Sequence, residues 1–474
     1  MAEILTPDLC VIGAGSAGLS VAAGAVQMGA SVVLIEKGAM GGDCLNYGCV
    51  PSKAMLAAAE QAAAMRGGAA FGVAPVEPDI DFARVQAHVA EVIAAIAPLD
   101  SVERFEGLGV TVIKAEARFT GPREVVAGGR TIRARRFVIA TGSRPSLPPI
   151  PGLSETPHLT NETLFANRER PDHLLIIGGG PIGVEMAQAH RRLGSRVTVL
   201  EAASLLGRDD PELTAILRAR LEAEGVTLRD GVAIERVAGP AGAITLTLAG
   251  GERIEGSHLL VAAGRQPVVD GLGLENAEVA VNTRGIDVDR RLRSRTNRRV
   301  FALGDVAGGP QFTHVAGYHA GIVIQNALFR LPAKVSYDAI PAVTYCDPEL
   351  AQVGLTEAAA RARHGADRVE VWRWSFAEND RAQAERRTEG LIKVVTRRGG
   401  RVVGAGIVGK DAGNLLQPWI FAVAGKLKLQ AIARHVAPYP TLGEVSKRAA
   451  GAYYAPKLFS ARTRWIVRLL AKLG

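Results

Sequence analysis

Two stretches of the chain, residues 8–36 and 173–201, repeat one pattern of apolar and polar positions. Each predicts an apolar strand, a glycine-rich turn, a helix and a second apolar strand. The second strand ends in an acid, Glu36 in one copy and Glu201 in the other. Apolar strands on either side of a helix are typical of a βαβ unit, whose strands are parallel. The pattern therefore predicts two parallel sheets in one chain.

The turn of each unit carries glycines at the spacing GxGxxG: Gly13, Gly15 and Gly18 in the first unit, and Gly178, Gly180 and Gly183 in the second. The first glycine allows a tight turn, the second lets backbone N–H groups approach a pyrophosphate, and the third lets helix and strand pack closely. The helix N-terminus adds partial positive charge, and the acid can bind ribose hydroxyls. Two complete copies predict two dinucleotides, the arrangement that hydride transfer from a nicotinamide to a flavin requires.

The acid of the second unit bears on the choice of nicotinamide. Glu201 would bind the 2′-hydroxyl of the adenosine ribose and repel a 2′-phosphate, which favours NADH over NADPH. NADPH stays an alternative, because Arg196 and Arg208 can reach a 2′-phosphate from nearby positions.

The pattern changes along the rest of the chain. Residues 52–65 and 79–105 predict helices, and residues 110–140 predict short strands that lead to a proline-rich linker. From about residue 336, strands mixed with helices indicate a separate domain. The predicted fold class is α/β, with two Rossmann-like dinucleotide-binding domains and a C-terminal α+β domain. The predicted boundaries are 1–149 together with 271–335 for the first domain, 150–270 for the inserted second domain, and 336–474 for the third.

Two of the four cysteines, Cys44 and Cys49, lie close together and can form a disulfide if the segment between them curls. Cys49 also precedes Pro51 and a predicted helix, and a helix N-terminus lowers the pKa of a thiol. The alternative is a pair of buried or metal-binding cysteines. Zinc would need two more Cys or His ligands nearby, and the segment has none, so no metal site is predicted. Cys10 and Cys346 are expected to be packing residues.

The composition is ordinary for a globular enzyme, with 48% hydrophobic and 22% charged residues. The net charge of +9 is not concentrated in a stripe with interleaved aromatic residues, so no nucleic-acid partner is expected. Four cysteines are too few for a secreted disulfide scaffold. The sequence starts without a signal-peptide pattern and has no apolar run near the ~18 residues of a membrane span. A cytoplasmic location is therefore expected.

Further segments, taken with the fingerprints and the cysteine pair, carry a resemblance to a known family. They are residues 41–53, 140–145, 178–183, 263–267, 302–305 and 347–357. Over about residues 5–450 the chain resembles the pyridine nucleotide–disulfide oxidoreductases, in the branch of dihydrolipoamide dehydrogenase and mercuric reductase. The segment with the two cysteines is the most specific of these motifs.

The resemblance implies a homodimer in which electrons pass from a nicotinamide to FAD, then to a Cys44–Cys49 disulfide, and then to a small-molecule acceptor. FAD would occupy the first domain, NADH (or NADPH) the second, and the third would be the dimerisation domain. Cys49 would face the flavin and Cys44 would attack the substrate. These roles are implied by the resemblance alone.

The resemblance also implies residues that contact the cofactors. Lys53, paired with Glu185, would contact the flavin, and Asp305 would bind its ribityl chain. Thr313, with the histidine that follows it, would lie over the flavin edge. Together with the two sets of glycines and acids, the predicted cofactor-binding residues also include Ser16, Gly42, Thr141, Gly142 and Gly264.

The chain departs from the family pattern where substrate is handled. Members that reduce disulfides carry a His-Pro-Thr segment, with a glutamate five positions after the histidine. In those members the histidine of one subunit acts as the general acid–base at the cysteine pair of the other subunit. Here Tyr439 takes the place of the histidine, and Glu444 follows at the expected distance. Tyrosine, with a pKa of about 10, is a poor base near neutrality. Tyr439 and Glu444 are predicted to be catalytic. His435 is expected to cap a helix, and a catalytic role for His435 is the alternative.

Mercuric reductases resemble this sequence in having tyrosine at that place. They usually also carry a vicinal cysteine pair at the C-terminus and often an N-terminal metal-binding domain, neither of which this sequence has. The predicted acceptor is a small disulfide or a soft metal ion. One alternative is a dihydrolipoamide dehydrogenase with a weakened acid–base. An alternative of another class is a flavin redox sensor or a membrane-docked partner protein.

The C-terminal tail predicts a basic amphipathic helix. Its apolar residues recur at helical spacing on one face, at Trp465, Ile466, Leu469, Leu470 and Leu473. Its cations recur four residues apart beside that face, at Arg464, Arg468 and Lys472. Such a helix suits a membrane surface or a partner helix. Packing on its own dimer is the expected arrangement, and contact with a membrane surface or a partner is the alternative.

Overall fold

The computed structural model describes residues 3–473, apart from the side chain at position 457. Strands β1–β9 of the N-terminal part are Ile4–Leu5, Leu9–Ile12, Val32–Glu36, Thr111–Lys114, Ala117–Gly121, Glu124–Ala127, Arg130–Ile132, Arg136–Ile139 and Ser143–Pro145. Helices α1–α5 are Ser16–Gln27, Gly42–Asn46, Cys49–Arg66, Phe82–Ile96 and Val102–Gly107.

The next part of the chain forms the second unit. Its helices α6–α8 are Asn161–Leu164, Pro181–Arg192 and Pro211–Ala223. Strands β10–β17 are His173–Ile177, Arg196–Glu201, Val226–Asp230, Ile234–Ala238, Ile244–Leu248, Arg253–Gly256, His258–Val261 and Arg265–Pro267. The chain then returns to the first unit through strands β18–β20, which are Val281–Asn282, Gly285–Ile286 and Val300–Ala302, and helix α9, Thr313–Ala327.

The two parallel sheets follow from the repeated pattern. The first has the order β20-β8-β2-β3-β4, and all four strand pairs are parallel. The second has the order β12-β11-β10-β16, again parallel throughout. Helices cover both faces of such sheets, so the strands read as continuous apolar runs, and every residue of Leu9–Ile12 is buried. Because parallel strands end at the same edge, both glycine-rich turns lie at the carboxyl edges of their sheets.

The C-terminal part is an antiparallel sheet with helices. Strands β21–β25 are Pro341–Thr344, Glu349–Gly354, Val369–Ser375, Leu391–Arg397 and Arg401–Gly409, in the order β21-β22-β25-β24-β23. Helices α10–α17 are Glu357–His364, Asp380–Ala384, Ala412–Leu415, Gln417–Ala424, Leu429–Arg434, Glu444–Ala452, Ala455–Leu458 and Ala461–Leu470. Its core contains the fully buried side chains of Phe376 and Trp419. The predicted fold class is confirmed.

Two expectations about helices need correction. The helix predicted over 79–105 is interrupted: α4 ends at Ile96, and a 3₁₀ turn at Ala97–Asp100 separates it from α5. Pro98 lies in that turn and has no backbone N–H to continue the helix. The helix predicted to start at residue 52 begins earlier, at Cys49 itself.

One helical stretch, Phe82–Gly107, has the length and composition of a membrane span, with a hydropathy of 1.3, although the sequence showed no uninterrupted apolar run of that length. This is weak evidence for a span. The 3₁₀ turn breaks the stretch, and Phe82 and Val89 are buried in the core on one side of α4.

A buried ion cluster joins the second unit to the C-terminal part. The Lys393 ammonium on β24 lies 2.9 Å from carboxylate oxygens of Asp210, Glu212 and Glu357, and its side chain is almost fully buried. A buried lysine stays charged only when such partners replace its water. Because Asp210 caps the N-terminus of α8 and Lys393 lies on β24, the cluster ties α8 to the C-terminal sheet.

Candidate functional site

A cleft of about 2270 Å³ lies at the carboxyl edges of the two parallel sheets. A site for one small molecule typically has about 300–1,000 Å³, so this cleft has room for more than one. The predicted residues that line it are Gly13, Gly15, Ser16, Glu36, Gly42, Cys44, Cys49, Lys53, Thr141, Gly142, Gly178, Gly180, Glu185, Glu201, Gly264, Asp305 and Thr313.

The first glycine of each turn cannot carry a side chain. Gly13 has φ +104° and Gly178 has φ +113°, a region that L-residues rarely adopt. A Cβ on either would lie 2.4 Å from a carbonyl oxygen of the neighbouring strand end. The space beside Gly180 is open, and beside Gly15 the nearest atom is 3.8 Å from a Cβ position. Each glycine-rich turn thus leaves its backbone N–H groups free to contact a pyrophosphate. The residues of both turns therefore fit a dinucleotide.

The third glycines, Gly18 and Gly183, do not line the cleft. A Cβ there would lie 1.8 Å and 2.0 Å from the carbonyl oxygens of Gly13 and Gly178. Their lack of a side chain lets each helix start directly against its turn. They therefore shape the site through packing.

The acids at the two strand ends make the same contacts. Glu36 accepts hydrogen bonds from the backbone N–H groups of Ala14 and Gly38, both at 2.6 Å. Glu201 accepts from Gly179 at 2.6 Å and from the N–H two residues after itself at 2.9 Å. Each carboxylate therefore sits at the mouth of its glycine turn, where a ribose bound to that turn would lie.

The cysteine pair lies at the junction of α2 and α3. Cys44 and Cys49 are both free thiols, and the Cys44 thiol hydrogen-bonds to Cys49. Cys49 is the first residue of the 18-residue helix α3 and is exposed to the cleft. Its sulfur lies 3.2 Å from the Thr313 hydroxyl at the start of α9. Cys44 in turn interacts with Ser16 of the first glycine turn.

The two thiols differ strongly in acidity. The hydrogen bond from Cys44 lowers the pKa of Cys49 to about 6, with further help from Thr313 and from the nearby Lys53 ammonium. The same hydrogen bond, with burial, raises the pKa of Cys44. At neutral pH the reduced pair therefore holds one proton on Cys44 and a thiolate at Cys49, the reactive form of the thiol.

Lys53, one turn along α3, is held by groups from other parts of the chain. Its Nζ lies 2.7 Å from the Glu185 carboxylate, which is almost fully buried. Glu185 also accepts from the backbone N–H of Tyr345, and the Lys53 ammonium lies 4.2 Å from the centre of the Tyr345 ring. Tyr345 was not singled out in the sequence. Its contact with Lys53 spans domains, so no local pattern indicates it.

Asp305 belongs to a polar network that sequence reasoning missed. Ser143 donates to its carboxylate at 2.5 Å, and burial raises the pKa of Asp305. The Arg265 guanidinium donates to the Ser143 hydroxyl at 2.7 Å and pairs with Asp43 at 3.0 Å. Both Arg265 and Ser143 lie in segments that carry the family resemblance, which was the available signal. The network fixes this wall of the cleft.

Tyr439 and Glu444 lie away from the cleft and from the cysteines of the same chain. Tyr439 is 69% exposed, and its hydroxyl donates to Asp380 at 2.9 Å, which raises the pKa of Tyr439. Glu444 begins α15. His435 ends α14, where its ring contacts the carbonyl oxygen of Ile432, as expected for a capping residue.

Between residues 3 and 473, no group of three His, Cys, Asp or Glu side chains is arranged to hold a metal ion.

The comparisons with known proteins bear directly on these domains. The profile of the pyridine nucleotide-disulphide oxidoreductases matches residues 7–320, and the profile of their dimerisation domain matches residues 340–450. The chain belongs to this family. It is an NAD(P)H-dependent flavoprotein disulfide oxidoreductase with a dimerisation domain, and the family uses FAD and NAD(P)H.

Similar members of the family carry different names. The mercuric reductase of Streptomyces lividans is 36% identical, over 94% of this chain and 96% of its own length. The dihydrolipoyl dehydrogenase of Geobacillus stearothermophilus is 35% identical, over 94% and 95%. Among solved structures, the Cu(II) complex of the HOCl-induced flavoprotein disulfide reductase RclA from Escherichia coli matches with a TM-score of 0.83 and 29% identity, over 93% of this chain and 98% of that one.

The reactivity of Cys49 should follow its lowered pKa. In the variant Cys44→Ser, Cys49 is expected to react with iodoacetamide at a rate that rises as pH passes about 6, because a serine hydroxyl can still donate to the thiolate. In Cys44→Ala the donor is lost, and the midpoint should move up toward the ordinary ~8.5 of a free thiol. Alkylation rates across the pH range measure both midpoints.

Lys53→Met should also raise the Cys49 midpoint, since it removes a nearby positive charge. Lys426→Met, at an exposed lysine outside the cleft, is the matched control and should leave it unchanged. A midpoint near 8.5 in Cys44→Ser would contradict the assignment of the thiolate to Cys49.

Proposed function

We propose that the protein is a reductase that uses NADH (or NADPH) and FAD to reduce a small disulfide or a soft metal ion through the Cys44–Cys49 pair. The observation that carries the proposal is the dithiol itself. A thiolate at Cys49 and a protonated Cys44 lie in a cleft that both glycine turns border.

The chain's own residues account for the handling of protons. When bound, FAD would take a hydride from the nicotinamide and deliver two electrons to the disulfide. The opened pair leaves thiolate at Cys49 and takes up a proton at Cys44, in accord with the two pKa shifts. Glu185 holds the Lys53 ammonium in place, and that ammonium favours the thiolate of Cys49. To attack a disulfide, Cys44 must lose its proton. Burial and the hydrogen bond to Cys49 raise the pKa of Cys44, so this loss requires a base.

A soft metal ion makes a different demand on the pair. It binds two thiolates and drives their protons off, so it needs no dedicated base. This supports a metal acceptor in a chain whose Tyr439 is held protonated by Asp380. A mercuric reductase is among the similar proteins, and RclA has been solved as a Cu(II) complex.

Dihydrolipoamide oxidation is the second candidate. A dihydrolipoyl dehydrogenase is similar over nearly the whole chain, and the thiol pair suits a dithiol substrate as well as a disulfide. Here Tyr439 would leave the reaction without an efficient base. A flavin redox sensor is a candidate of another class.

Turnover separates these candidates. With excess NADH, a reductase oxidises many equivalents of NADH when offered lipoamide, small disulfides, Hg(II) or Cu(II) in turn. A sensor is reduced once and then stops. Anaerobic stopped-flow with this panel of acceptors therefore tests the proposed function, and a single turnover with every acceptor would refute it.

We further propose that NADH is preferred. The Glu201 carboxylate already accepts two backbone hydrogen bonds at the mouth of the second turn, so a 2′-phosphate there would meet a fixed negative charge. The kcat/KM for NADH should exceed that for NADPH, and Glu201→Gln should narrow the gap by removing the charge. Steady-state kinetics with both nucleotides measure this. A larger kcat/KM for NADPH would contradict it and point to Arg208, which also lines the cleft.

The assembly and location follow from the same reasoning. We propose a homodimer formed by residues 336–474, an FAD-binding domain at 1–149 and 271–335, and an NAD(P)H-binding domain at 150–270. The dimerisation-domain match supports the first of these, and the two parallel sheets support the other two. We place the protein in the cytoplasm, where thiols are kept reduced.

A further inference from the structure

After the residues that match the dimerisation-domain profile, the chain continues into a helix that the rest of the same chain does not cover. The family match ends at residue 450, and α17 follows at Ala461–Leu470. Ser460 caps its N-terminus by accepting a hydrogen bond from the backbone N–H of Thr463. No residue of α17 is buried. Such a short helix is marginal in water alone, so a surface that covers it would stabilise it.

One side of this helix is apolar. At 3.6 residues per turn, Trp465, Ile466, Leu469 and Leu470 fall within an arc of about 140°. Leu473 follows just after the helix ends, and Val467, which is 59% exposed, lies outside this arc. The exposed fractions are 63% for Trp465, 38% for Ile466, 46% for Leu469, 56% for Leu470 and 78% for Leu473. Contiguous exposed apolar surface of this kind marks an interaction site.

The charge of the helix narrows the choice of partner. Arg464, Arg468 and Lys472 form a stripe beside the apolar arc, and no Asp or Glu follows Glu444 in the sequence. Two such helices would repel each other, which disfavours tail-to-tail packing in a dimer. A partner must therefore provide an apolar layer that the apolar side chains can enter, with negative charges beside it.

We propose that α17 docks the enzyme on the surface of an anionic lipid bilayer. Its apolar arc would enter the boundary between headgroups and acyl chains, and the stripe of cations would face the phosphates. One short helix gives marginal, reversible binding. An assembly joined by the dimerisation domain carries two such helices, and the second binds at a high effective concentration. The enzyme would then act beside the membrane.

Vesicle sedimentation of the full-length, FAD-loaded protein tests this. The protein is expected to sediment with vesicles of phosphatidylcholine mixed with phosphatidylglycerol and not with phosphatidylcholine alone. Added salt should release it, because exposed charges are screened. A single cation near such a surface strengthens binding roughly fivefold, so the triple variant Arg464→Gln, Arg468→Gln, Lys472→Gln should weaken it roughly 100-fold.

Two further variants define the geometry and the control. Leu469→Ser with Leu470→Ser should also release the protein, since it removes apolar area while keeping every charge. The matched control is Arg123→Gln, Arg236→Gln, Arg253→Gln, at three exposed arginines elsewhere; it should bind as the unchanged protein does. NADH oxidation with a soluble acceptor should be equal in all four proteins, which shows that they fold.

Three outcomes would overturn the proposal. They are no sedimentation with anionic vesicles, sedimentation that the tail variants leave unchanged, and tail variants that instead shift the sedimentation coefficient to that of a smaller assembly. The last outcome would assign the apolar arc to a second copy of the chain. Because the soluble-acceptor activity is measured in parallel, failure of membrane docking is distinct from failure of the reductase assignment.

Discussion

Replacing Cys49 with serine is expected to abolish reduction of disulfides and metal ions, by on the order of 10³-fold or more, because a single thiol cannot complete the dithiol–disulfide cycle. The reduced variant should also lack the long-wavelength absorption that a thiolate in contact with oxidised FAD produces. Cys44→Ser should lose turnover to a similar extent but retain a version of that absorption. The thiolate resides on Cys49, and a serine hydroxyl can still donate to it.

Steady-state turnover and anaerobic absorption spectra of the two variants check this pair of results. Cys346→Ala is the matched control, since Cys346 is a buried cysteine that does not line the cleft. It should behave as the unchanged protein in both measurements. If Cys49→Ser and Cys44→Ser both keep the wild-type spectrum, the redox role of this pair is wrong.

Tyr439→His is expected to raise dihydrolipoamide oxidation by about 10²- to 10⁴-fold, the contribution typical of a positioned general base. The unchanged protein should be slow because a thiol of the substrate must lose its proton before it attacks the Cys44–Cys49 disulfide. The pKa of Tyr439 is raised, so its hydroxyl is a poor base for that proton. An imidazole titrates near neutrality, and Glu444, five residues after position 439, is available to orient it.

The metal reaction should respond in the opposite sense. Reduction of Hg(II) is expected to be unchanged or impaired by Tyr439→His, because thiolates bind the ion without a proton shuttle. Tyr439→His both removes the tyrosine hydroxyl and adds a base. Tyr439→Phe removes the hydroxyl without adding a base, and it should leave dithiol oxidation slow. Brisk lipoamide turnover in the unchanged protein, not improved by histidine, would mean that another group such as His435 supplies the base. The lipoamide dehydrogenase interpretation would then take the lead.

The fold could be predicted because its signals are local. A strand, a glycine turn and a helix follow one another within about 30 residues in a βαβ unit, and a Cβ at Gly13 or Gly178 would collide with backbone. The pair Cys44 and Cys49 is local in the same sense. The break at Pro98 was also visible in the sequence, but the apolar pattern continued across it and favoured one long helix.

The polar surroundings of the site could not be predicted in the same way. Tyr345 reaches Lys53 from a distant part of the chain, and Arg265 joins Asp43 to Ser143 across three segments. Such contacts depend on how the folded domains pack against each other. Neither the spacing of motifs nor the apolar periodicity of the sequence predicts them. In the proposed homodimer, the distance from Tyr439 to the cysteine pair of the other chain would depend on how two subunits pack, which the sequence of one chain does not record.

The return of β20 to the first sheet has a consequence for the order in which the protein is made. The second parallel sheet is complete once the ribosome has synthesised residue 261, where β16 ends. The first sheet started much earlier, yet its edge strand β20 ends only at residue 302. Until then β8 presents an open edge, which is a template for mispairing. Domains generally fold as units during synthesis, so the second parallel sheet can form before the first sheet is complete. A pause in translation between residues 261 and 302 would therefore lengthen the time during which the edge of β8 is unpaired.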